Sequence, residues 1–407
     1  MAGARSRVSR VLMTGPLAPF AEAYGLELKK RSYTRLTMVN QLRQVARLSR
    51  WLEARGLEVT ELSGARVDEF LSFQRIVGHN RAQWSRPGLL CLLDVLLELG
   101  VLSAEEPEQP TTPTGVLLAS FERYLLAERG LAVGTVRAYV SHARRFLDGR
   151  SPSGGGLTGL KVAEVTEAVL SESAVLSVSA TQFFIAGLRA FLRYCSIQGL
   201  VEVDMSQAAL PITGRRRSTL PRGISKADAN ALLDCCDRRS ALGGRDYAMI
   251  MTLLGLGLRA SEVAGLRLDD FNWRAGELVV RGKGAREDRL PLPAAVGRAI
   301  TVYLQRGRPP TDRRELFLRA RAPFEPVAVG TVSSTVRRAC RRAGIPEVGS
   351  HRLRHTVACQ MVSAHVPLTQ IAQVLRHQSL QSTALYARVD LDQLRLLAAP
   401  WPGDAQL

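Results

Sequence analysis

Apolar residues recur at helical spacing through the first half of the chain. In segments 37–56 and 89–102, and again in 134–149 and 185–201, they follow one another at intervals of three and four positions. Because these intervals place apolar side chains along one face of a helix, the pattern predicts two small helical bundles. The helices of the two groups occur in the same order with an offset of about 100 residues, which indicates an internal repeat.

The second half of the chain combines helical patterns with strand patterns. Ser225 can cap the helix that follows it, and segment 245–266 predicts a long, mostly buried helix. Segment 276–293 has two β-rich runs around Gly-Lys-Gly-Ala-Arg, which predicts a β-hairpin. Further helices are predicted around 294–305, 330–343, 350–364, 367–376 and 379–387. The predicted fold class is therefore mainly α, with a small β-hairpin or sheet in the last domain.

Two linkers divide the chain into three parts. Residues 103–114 are acidic and rich in proline and threonine, and residues 210–223 are predicted to form an extended basic strap between prolines. We therefore predict helical units at 1–102 and 115–207, followed by a third domain at 220–398.

Composition excludes several classes of protein. Of the 407 residues, 46% are hydrophobic and 23% are charged, so the chain can form packed cores and is not disordered throughout. The longest apolar stretch, near 248–258, is about half a membrane span, and the N-terminus lacks the features of a secretory signal. The six cysteines have no CxxC spacing, which predicts reduced thiols in a cytoplasmic protein without a membrane partner.

Charge gives the first positive indication of function. The formal net charge is +18, and it divides into +6 for residues 1–102, −2 for 103–207 and +14 for 208–407. Such a basic C-terminal half is typical of polyanion binders, because neutralised phosphates release counterions. A basic composition alone leaves nucleic-acid binding undecided, since only five of the 55 basic residues are lysine, as a GC-rich genome would also produce.

The C-terminal half holds the groups that DNA strand cleavage without a metal ion would need. Arginine binds phosphate bidentately, and its charge stabilises the transition state. A tyrosine nucleophile can conserve the energy of the broken bond in a covalent phosphotyrosine. The chain presents candidates in this order: Arg259, Lys283, His351, Arg354, His377 and Tyr386.

This ordered set, within LGLRASEVAGL, GKG, SHRLRHTVA and VLRHQSLQSTALYARV, resembles the tyrosine recombinase (phage integrase) family. The resemblance covers 220–390 and extends less firmly to 115–205, which resembles the core-binding domain of the family. It implies helical, SAM-like N-terminal units joined to a catalytic domain, and a reaction that needs no metal ion or other cofactor. It also implies these roles: a phosphate clamp for Arg259 and Arg354, activation or positioning of the nucleophile for His351, the general acid for Lys283, a phosphate hydrogen bond for His377, the nucleophile for Tyr386, and support of the first arginine and the histidine for Glu262.

One position departs from the family pattern, and several residues have simpler interpretations. The family commonly has Leu-Gly-His before the second histidine, whereas this chain has Leu375-Arg376-His377. Taken alone, Arg259 beside Glu262 is more typical of a structural ion pair. His351 and His355 have the spacing of a zinc pair, but the acidic residue of HExxH and a third ligand are lacking.

Three groups of arginines are predicted to contact DNA. The first is the basic face of a helix, with Arg337, Arg338, Arg341 and Arg342. The second lies in the strap and consists of Arg215, Arg216 and Arg217. The third is a local stripe in the middle unit, with Arg137, Arg144 and Arg145. The basic helical face could instead be a solvated surface.

The prediction is a site-specific recombinase of a mobile element, acting in DNA integration or transposition. Its expected partners are double-stranded DNA, three further copies in a tetramer on synapsed DNA, and possible sister recombinases. A type IB topoisomerase-like relaxing enzyme and a non-catalytic DNA-binding accessory protein are the alternatives.

Overall fold

The computed structural model describes residues 4–5, 11–77, 86–103, 112–150, 157, 159–212, 223–282 and 286–376. These residues are mostly helical, with one two-stranded and one three-stranded antiparallel sheet, which confirms the predicted fold class. Contacts divide the chain into two compact units, Met1–Ser103 together with Ser218–Leu407, and Ala104–Arg217. The three-domain division stays a prediction, although buried apolar residues form separate clusters within 13–102, 118–209 and 232–353.

The N-terminal part of the first unit is a small helical bundle. Its elements are β1 (Ala4–Arg5), β2 (Leu12–Met13), α1 (Ala21–Lys30), α2 (Arg35–Ala54), α3 (Gly64–Ile76) and α4 (Arg86–Glu98). The Thr34 side chain caps α2 and the Ser63 side chain caps α3, each by accepting a backbone N–H of the first turn. Trp51 meets Phe70 edge-on at 5.7 Å in the core. The predicted bundle is therefore present.

The second unit is a bundle of comparable size. Its elements are α5 (Pro113–Ala127), α6 (Val133–Arg150), α7 (Val162–Val175) and α8 (Val178–Ile197). The ring of Phe121 lies 5.2 Å from that of Phe191 and 5.3 Å from that of Tyr194. Helix α5 begins inside the predicted linker 103–114, because Thr112 caps it and Pro113 suits the first helical position.

The C-terminal part of the first unit surrounds its own apolar core. Its elements are α9 (Lys226–Asp234), α10 (Ala241–Leu256), α11 (Ala260–Gly265), β3 (Phe271–Asn272), β4 (Glu277–Arg281), β5 (Glu287–Pro291), α12 (Ala294–Arg306), α13 (Val329–Ala343), α14 (Ser350–Ser363) and α15 (Leu368–Leu375). The Ser225 hydroxyl accepts the Asp228 N–H at 3.0 Å, as predicted for the cap of α9. Helix α10 packs against α12 and α14. The predicted helix at 379–387 lies outside the described residues.

The prediction of one continuous helix over 245–266 is wrong. Helix α10 ends at Leu256, Gly257 adopts a left-handed conformation with φ 59°, and α11 begins at Ala260. A left-handed glycine is a common way to end a helix, because it lacks the Cβ that makes this conformation costly. The break redirects the chain and places Arg259 at the N-terminal end of a new helix.

The predicted hairpin is present and has a third strand beside it. Strands β4 and β5 pair antiparallel, with Leu278 opposite Leu290, and β3 pairs with the other edge of β4. Leu278, Val280 and Leu290 are buried, so one face of the sheet packs on the core. Across the hairpin end, the Gly282 N–H donates to the Arg286 carbonyl at 2.8 Å.

Helices in the described part of the chain are too short or too polar to span a bilayer.

The turn at Gly257 gives a first prediction. A Cβ at Gly257 would strain the left-handed backbone and would lie 2.8 Å from Leu375 Cδ2, in a fully buried side chain. Gly257→Ala should therefore lower the free energy of unfolding by more than the roughly 1 kcal/mol expected from the backbone conformation alone. The measurement is denaturant unfolding at equilibrium.

Gly344→Ala is the matched control, because Gly344 ends α13 with φ 67° and has open space where a Cβ would lie. Equal losses in the two variants would contradict the role given to the contact with Leu375.

Candidate active site

Arg259 is held at the start of α11 by a carboxylate three residues further on. Glu262 Oε2 accepts the Arg259 backbone N–H at 2.8 Å, and Glu262 Oε1 accepts from Arg259 Nη1 at 2.7 Å. Burial raises the pKa of Glu262, but the backbone hydrogen bond and the charges of Arg376 and Arg259 outweigh it and leave the pKa below its usual value. The Arg259 side chain remains 39% exposed, so the guanidinium is fixed at one edge and accessible at another.

Arg354 is a buried arginine that binds the ends of two helices. It is 2% exposed on α14, and its Nη1 donates to the Gly257 carbonyl at 2.7 Å. Its Nη2 donates to the Leu375 carbonyl at the end of α15. Since C-terminal helix carbonyls carry partial negative charge, both contacts favour the cation. The guanidinium plane is therefore fixed between α10 and α15.

His351 lies one turn before Arg354 on α14. Partial burial lowers its pKa, and the charges of Arg354 and Arg259 lower it further. The neutral ring is favoured near pH 7, and a neutral ring can accept a proton.

His355 supports the ring of His351 from the next turn of α14. The two ring centroids are 4.3 Å apart at 73°. Burial, with the charge of His351 and neighbouring arginines, lowers the pKa of His355 to about 4. In the described residues no group of three or more His, Cys, Asp or Glu side chains is placed to hold a metal ion.

Arg376 joins the site, which the sequence analysis did not predict. Its Nη2 donates to Glu262 Oε2 at 2.8 Å, and its carbonyl accepts from Arg259 Nη2 at 3.2 Å. Position 376 stood out in the sequence only as a departure from Leu-Gly-His. That departure is the sequence feature that could have identified Arg376 as a site residue, because it puts a long cationic side chain directly after a predicted helix.

Of these groups, Arg259, Glu262 and Arg376 line an open cleft of about 480 Å³. One wall consists of Arg259, Ser261, Glu262 and Arg376, and the other of Arg281, Gly282, Arg286 and Asp288 from the hairpin. The hairpin wall contains the residues on either side of the segment that carries Lys283. Lys283, His377 and Tyr386 themselves lie outside the described residues.

The basic face of α13 is exposed, and its opposite face is buried. Val332, Val336 and Ala339 pack in the core, whereas Arg337, Arg338, Arg341 and Arg342 are exposed. Two of these arginines have acidic neighbours, since Arg341 pairs with Glu347 at 2.5 Å and Arg342 lies 4.0 Å from Asp246. Arg337 and Arg338 therefore form the less neutralised part of the face.

The DNA-facing stripe on α6 stays a prediction, and the structure places its three exposed arginines in different surroundings. Arg137 and Arg144 are exposed and lie seven residues apart, on one side of the helix. Arg145 instead pairs with Glu172 of α7, and its guanidinium lies 5.9 Å from the Phe184 ring centroid. Arg215, Arg216 and Arg217 lie outside the described residues.

The His351–His355 pair gives a prediction about pH. An unfolded histidine ionises near 6.5, whereas the pKa of folded His355 is about 4, so the unfolded chain takes up the proton first. The free energy of unfolding therefore decreases as the pH falls from about 6.5 towards 4. The contribution of His355 to this free energy is constant at higher pH. His355→Asn should flatten the fall in Tm over that interval.

The measurement is thermal unfolding between pH 4 and 8, with His365→Asn as control, because His365 is an exposed histidine of the same part of the chain. An unchanged pH dependence in His355→Asn would exclude this histidine as the source.

Comparisons with known proteins identify the family. A model of the phage integrase family matches residues 222–392. The chain is 37% identical to the integrase/recombinase y4rA of Sinorhizobium fredii (strain NBRC 101917 / NGR234) over 96% of both chains. It is 30% identical to the tyrosine recombinase XerD of Mycobacterium tuberculosis (strain ATCC 25618 / H37Rv), over 70% of this chain and 96% of XerD. The chain belongs to the phage integrase family of tyrosine recombinases.

Solved structures show the same fold. The XerH site-specific recombinase bound to palindromic difH substrate matches with a TM-score of 0.55 at 18% identity, over 72% of this chain and 98% of that chain. The Tn1549 transposon integrase (aa 82-397) in complex with circular intermediate DNA matches with a TM-score of 0.52 at 17% identity, over 69% and 98%. The family model and the sequence relatives make the chain a site-specific recombinase, an enzyme that breaks and rejoins DNA strands, as predicted from the sequence.

Proposed function

We propose that the cleft between α11 and the hairpin is the place where this recombinase cleaves DNA. The observation that carries the proposal is the convergence of Arg259 and Arg354, which are 95 positions apart, on the adjacent carbonyls of Leu375 and Arg376. The chain continues from these carbonyls directly into the segment of His377 and Tyr386. Two fixed guanidinium groups supply the planar donors and the positive charge that a phosphodiester requires.

In the proposed mechanism, the Tyr386 oxygen attacks the scissile phosphorus. A 3′-phosphotyrosyl bond forms, and the bond to the 5′-oxygen breaks. Arg259 and Arg354 stabilise the non-bridging oxygens, with His377 as a further donor. His351, whose pKa is lowered by partial burial and by both arginines, accepts or orients the tyrosine proton. Lys283 protonates the leaving 5′-oxygen, and the hydroxyl of a partner strand reverses the step.

Burial of Arg354 adds a condition to this mechanism. A side chain only 2% exposed reaches a phosphate when the residues over it move. We therefore infer that the packing around Arg354 loosens when DNA enters the cleft, so that a phosphate oxygen can reach the Arg354 guanidinium.

The partners follow from the reaction. Strand exchange between two duplexes requires four cleaving subunits, so we propose a tetramer on synapsed DNA, with sister recombinases as possible members.

The match to y4rA covers 96% of this chain, whereas the match to XerD covers 70%, so the chain has a further segment beyond the part it shares with XerD. This supports a mobile-element integrase with an additional helical unit. The six free cysteines support a reducing, cytoplasmic location.

The central prediction concerns the nucleophile. Tyr386→Phe removes the attacking oxygen but leaves the binding surface, so it should abolish the covalent protein–DNA adduct and retain DNA affinity. The measurement is adduct formation on a nicked suicide substrate, with binding followed in parallel by gel shift. A persistent adduct would place the nucleophile elsewhere, and relaxation of supercoils without any site requirement would favour the topoisomerase-like alternative.

A separate prediction concerns the basic face of α13. If Arg337 contacts one DNA phosphate, Arg337→Ala should reduce the slope of log K against log salt by about 0.9, whatever the sequence of the DNA. The measurement is a salt titration of DNA binding. An unchanged slope in Arg337→Ala and Arg338→Ala would show that this face is solvated rather than bound to DNA.

A further inference from the structure

Arg376 adopts a backbone conformation that suits glycine better than arginine. It ends α15 in the left-handed region, with φ 54° and ψ 50°. For a residue with a side chain this conformation is disfavoured by contact between Cβ and the following carbonyl, whereas glycine has no such contact. An arginine at this position is therefore expected to make side-chain interactions that glycine cannot make and that offset the backbone strain.

The Arg376 side chain is buried and imperfectly satisfied. The residue is 7% exposed, Nη1 donates to the Val374 carbonyl at 3.0 Å, and Nη2 donates to Glu262. In the described structure the buried Nε has no hydrogen-bond partner. A buried donor without a partner is destabilising, so the side chain adds a second cost to that of the backbone. Stability alone therefore does not explain this residue.

The contacts of Arg376 converge on Arg259. Glu262 Oε1 accepts from the Arg259 guanidinium, and Glu262 Oε2 accepts both from the Arg259 backbone N–H and from Arg376 Nη2. The Arg376 carbonyl accepts from Arg259 Nη2 on another side of the same guanidinium. Arg376 thus fixes Arg259 twice, once through its own backbone and once through the shared carboxylate.

The charges indicate what this arrangement does. One carboxylate serves two guanidinium groups, so the three side chains together carry one net positive charge. In a simple Arg259–Glu262 pair the carboxylate would neutralise Arg259 alone. The second cation divides the attraction of Glu262 and leaves Arg259 more strongly electropositive where it lines the cleft.

We propose that Arg376 is a positioning residue for strand cleavage, which shares Glu262 with Arg259 and so holds the Arg259 guanidinium oriented and only partly neutralised towards the scissile phosphate. The proposal rests on the assignment of the cleft as the cleavage site. It gives position 376, where the family commonly has glycine, a function in this chain.

The test compares two uncharged variants that accept the left-handed backbone with one charged variant. Arg376→Gly and Arg376→Asn both tolerate this conformation and remove the charge, whereas Arg376→Lys keeps the charge. With saturating full-length protein on a nicked suicide substrate, we expect the Gly and Asn variants to cleave at least tenfold more slowly. DNA affinity should stay within about threefold, and the Lys variant should recover part of the rate. His365→Gly is the control for relief of backbone strain alone, because exposed His365 has φ 55° on the turn after α14.

The link through Glu262 is tested by a double-mutant cycle. In a Glu262→Gln background, Arg376→Gly should reduce the cleavage rate by less than it does in the parent protein, because the shared carboxylate is already lost. A purely structural role would instead lower Tm in proportion to the loss of rate, so Tm is measured for every variant.

Three outcomes would overturn the proposal: parental cleavage rates in the Gly and Asn variants, equal rates in the Lys and Asn variants, or additive effects in the cycle. Arg259→Ala is assayed alongside them. If Arg259→Ala cleaves normally, the assignment of the site fails; if it is inactive while Arg376→Gly cleaves normally, only the role of Arg376 fails. Should Arg376→Gly be unfolded, the Asn and Lys pair decides the question.

Discussion

The buried guanidinium of Arg354 is the interaction on which the geometry of the site depends. A charge in the protein interior is destabilising unless hydrogen bonds replace its hydration. Arg354 obtains them from the carbonyls of Gly257 and Leu375, at the C-terminal ends of α10 and α15. Both helix ends must therefore stop beside the same guanidinium. The left-handed turn at Gly257 meets this requirement and also turns the chain towards Arg259.

The positions of the other site residues relative to Arg354 follow from helix capping and helical spacing. Arg259 follows the turn by two residues and becomes the N-cap of α11, where Glu262 binds both its backbone N–H and its side chain. His351 is one helical turn from Arg354, so its distance from Arg354 is set by α14 itself. Residues that are far apart in sequence thus meet through one buried cation, and their neighbours follow from helical geometry.

Sequence patterns predicted what is local and missed what depends on tertiary contact. The cap at Ser225, the hairpin at 276–293 and the order of arginines and histidines could be read from spacing. The break at Gly257 was missed, because the apolar pattern of 245–266 continues across it, although a left-handed glycine ends α10 and its carbonyl accepts from Arg354. The ion pair of Arg145 with Glu172 of α7 could not be predicted, because helical spacing does not show that the two residues lie side by side. The ion pair of Arg376 with Glu262 spans 114 positions, beyond the reach of any local pattern.

The described part of the site has more positive than negative charge, and this has a physical consequence. Arg259 and Arg376 share the carboxylate of Glu262, and Arg354 donates to the carbonyls of Gly257 and Leu375 beside them. Backbone carbonyls at helix ends stabilise these cations but carry only partial charge. A phosphodiester supplies the full negative charge that is missing. In the proposed mechanism, the scissile phosphate would therefore relieve the excess of positive charge that the fold maintains in the protein free of DNA. On this argument, part of the affinity of the proposed site for DNA would originate in the packing of α15 on α14 and in the contacts of Arg376 with Arg259 and Glu262.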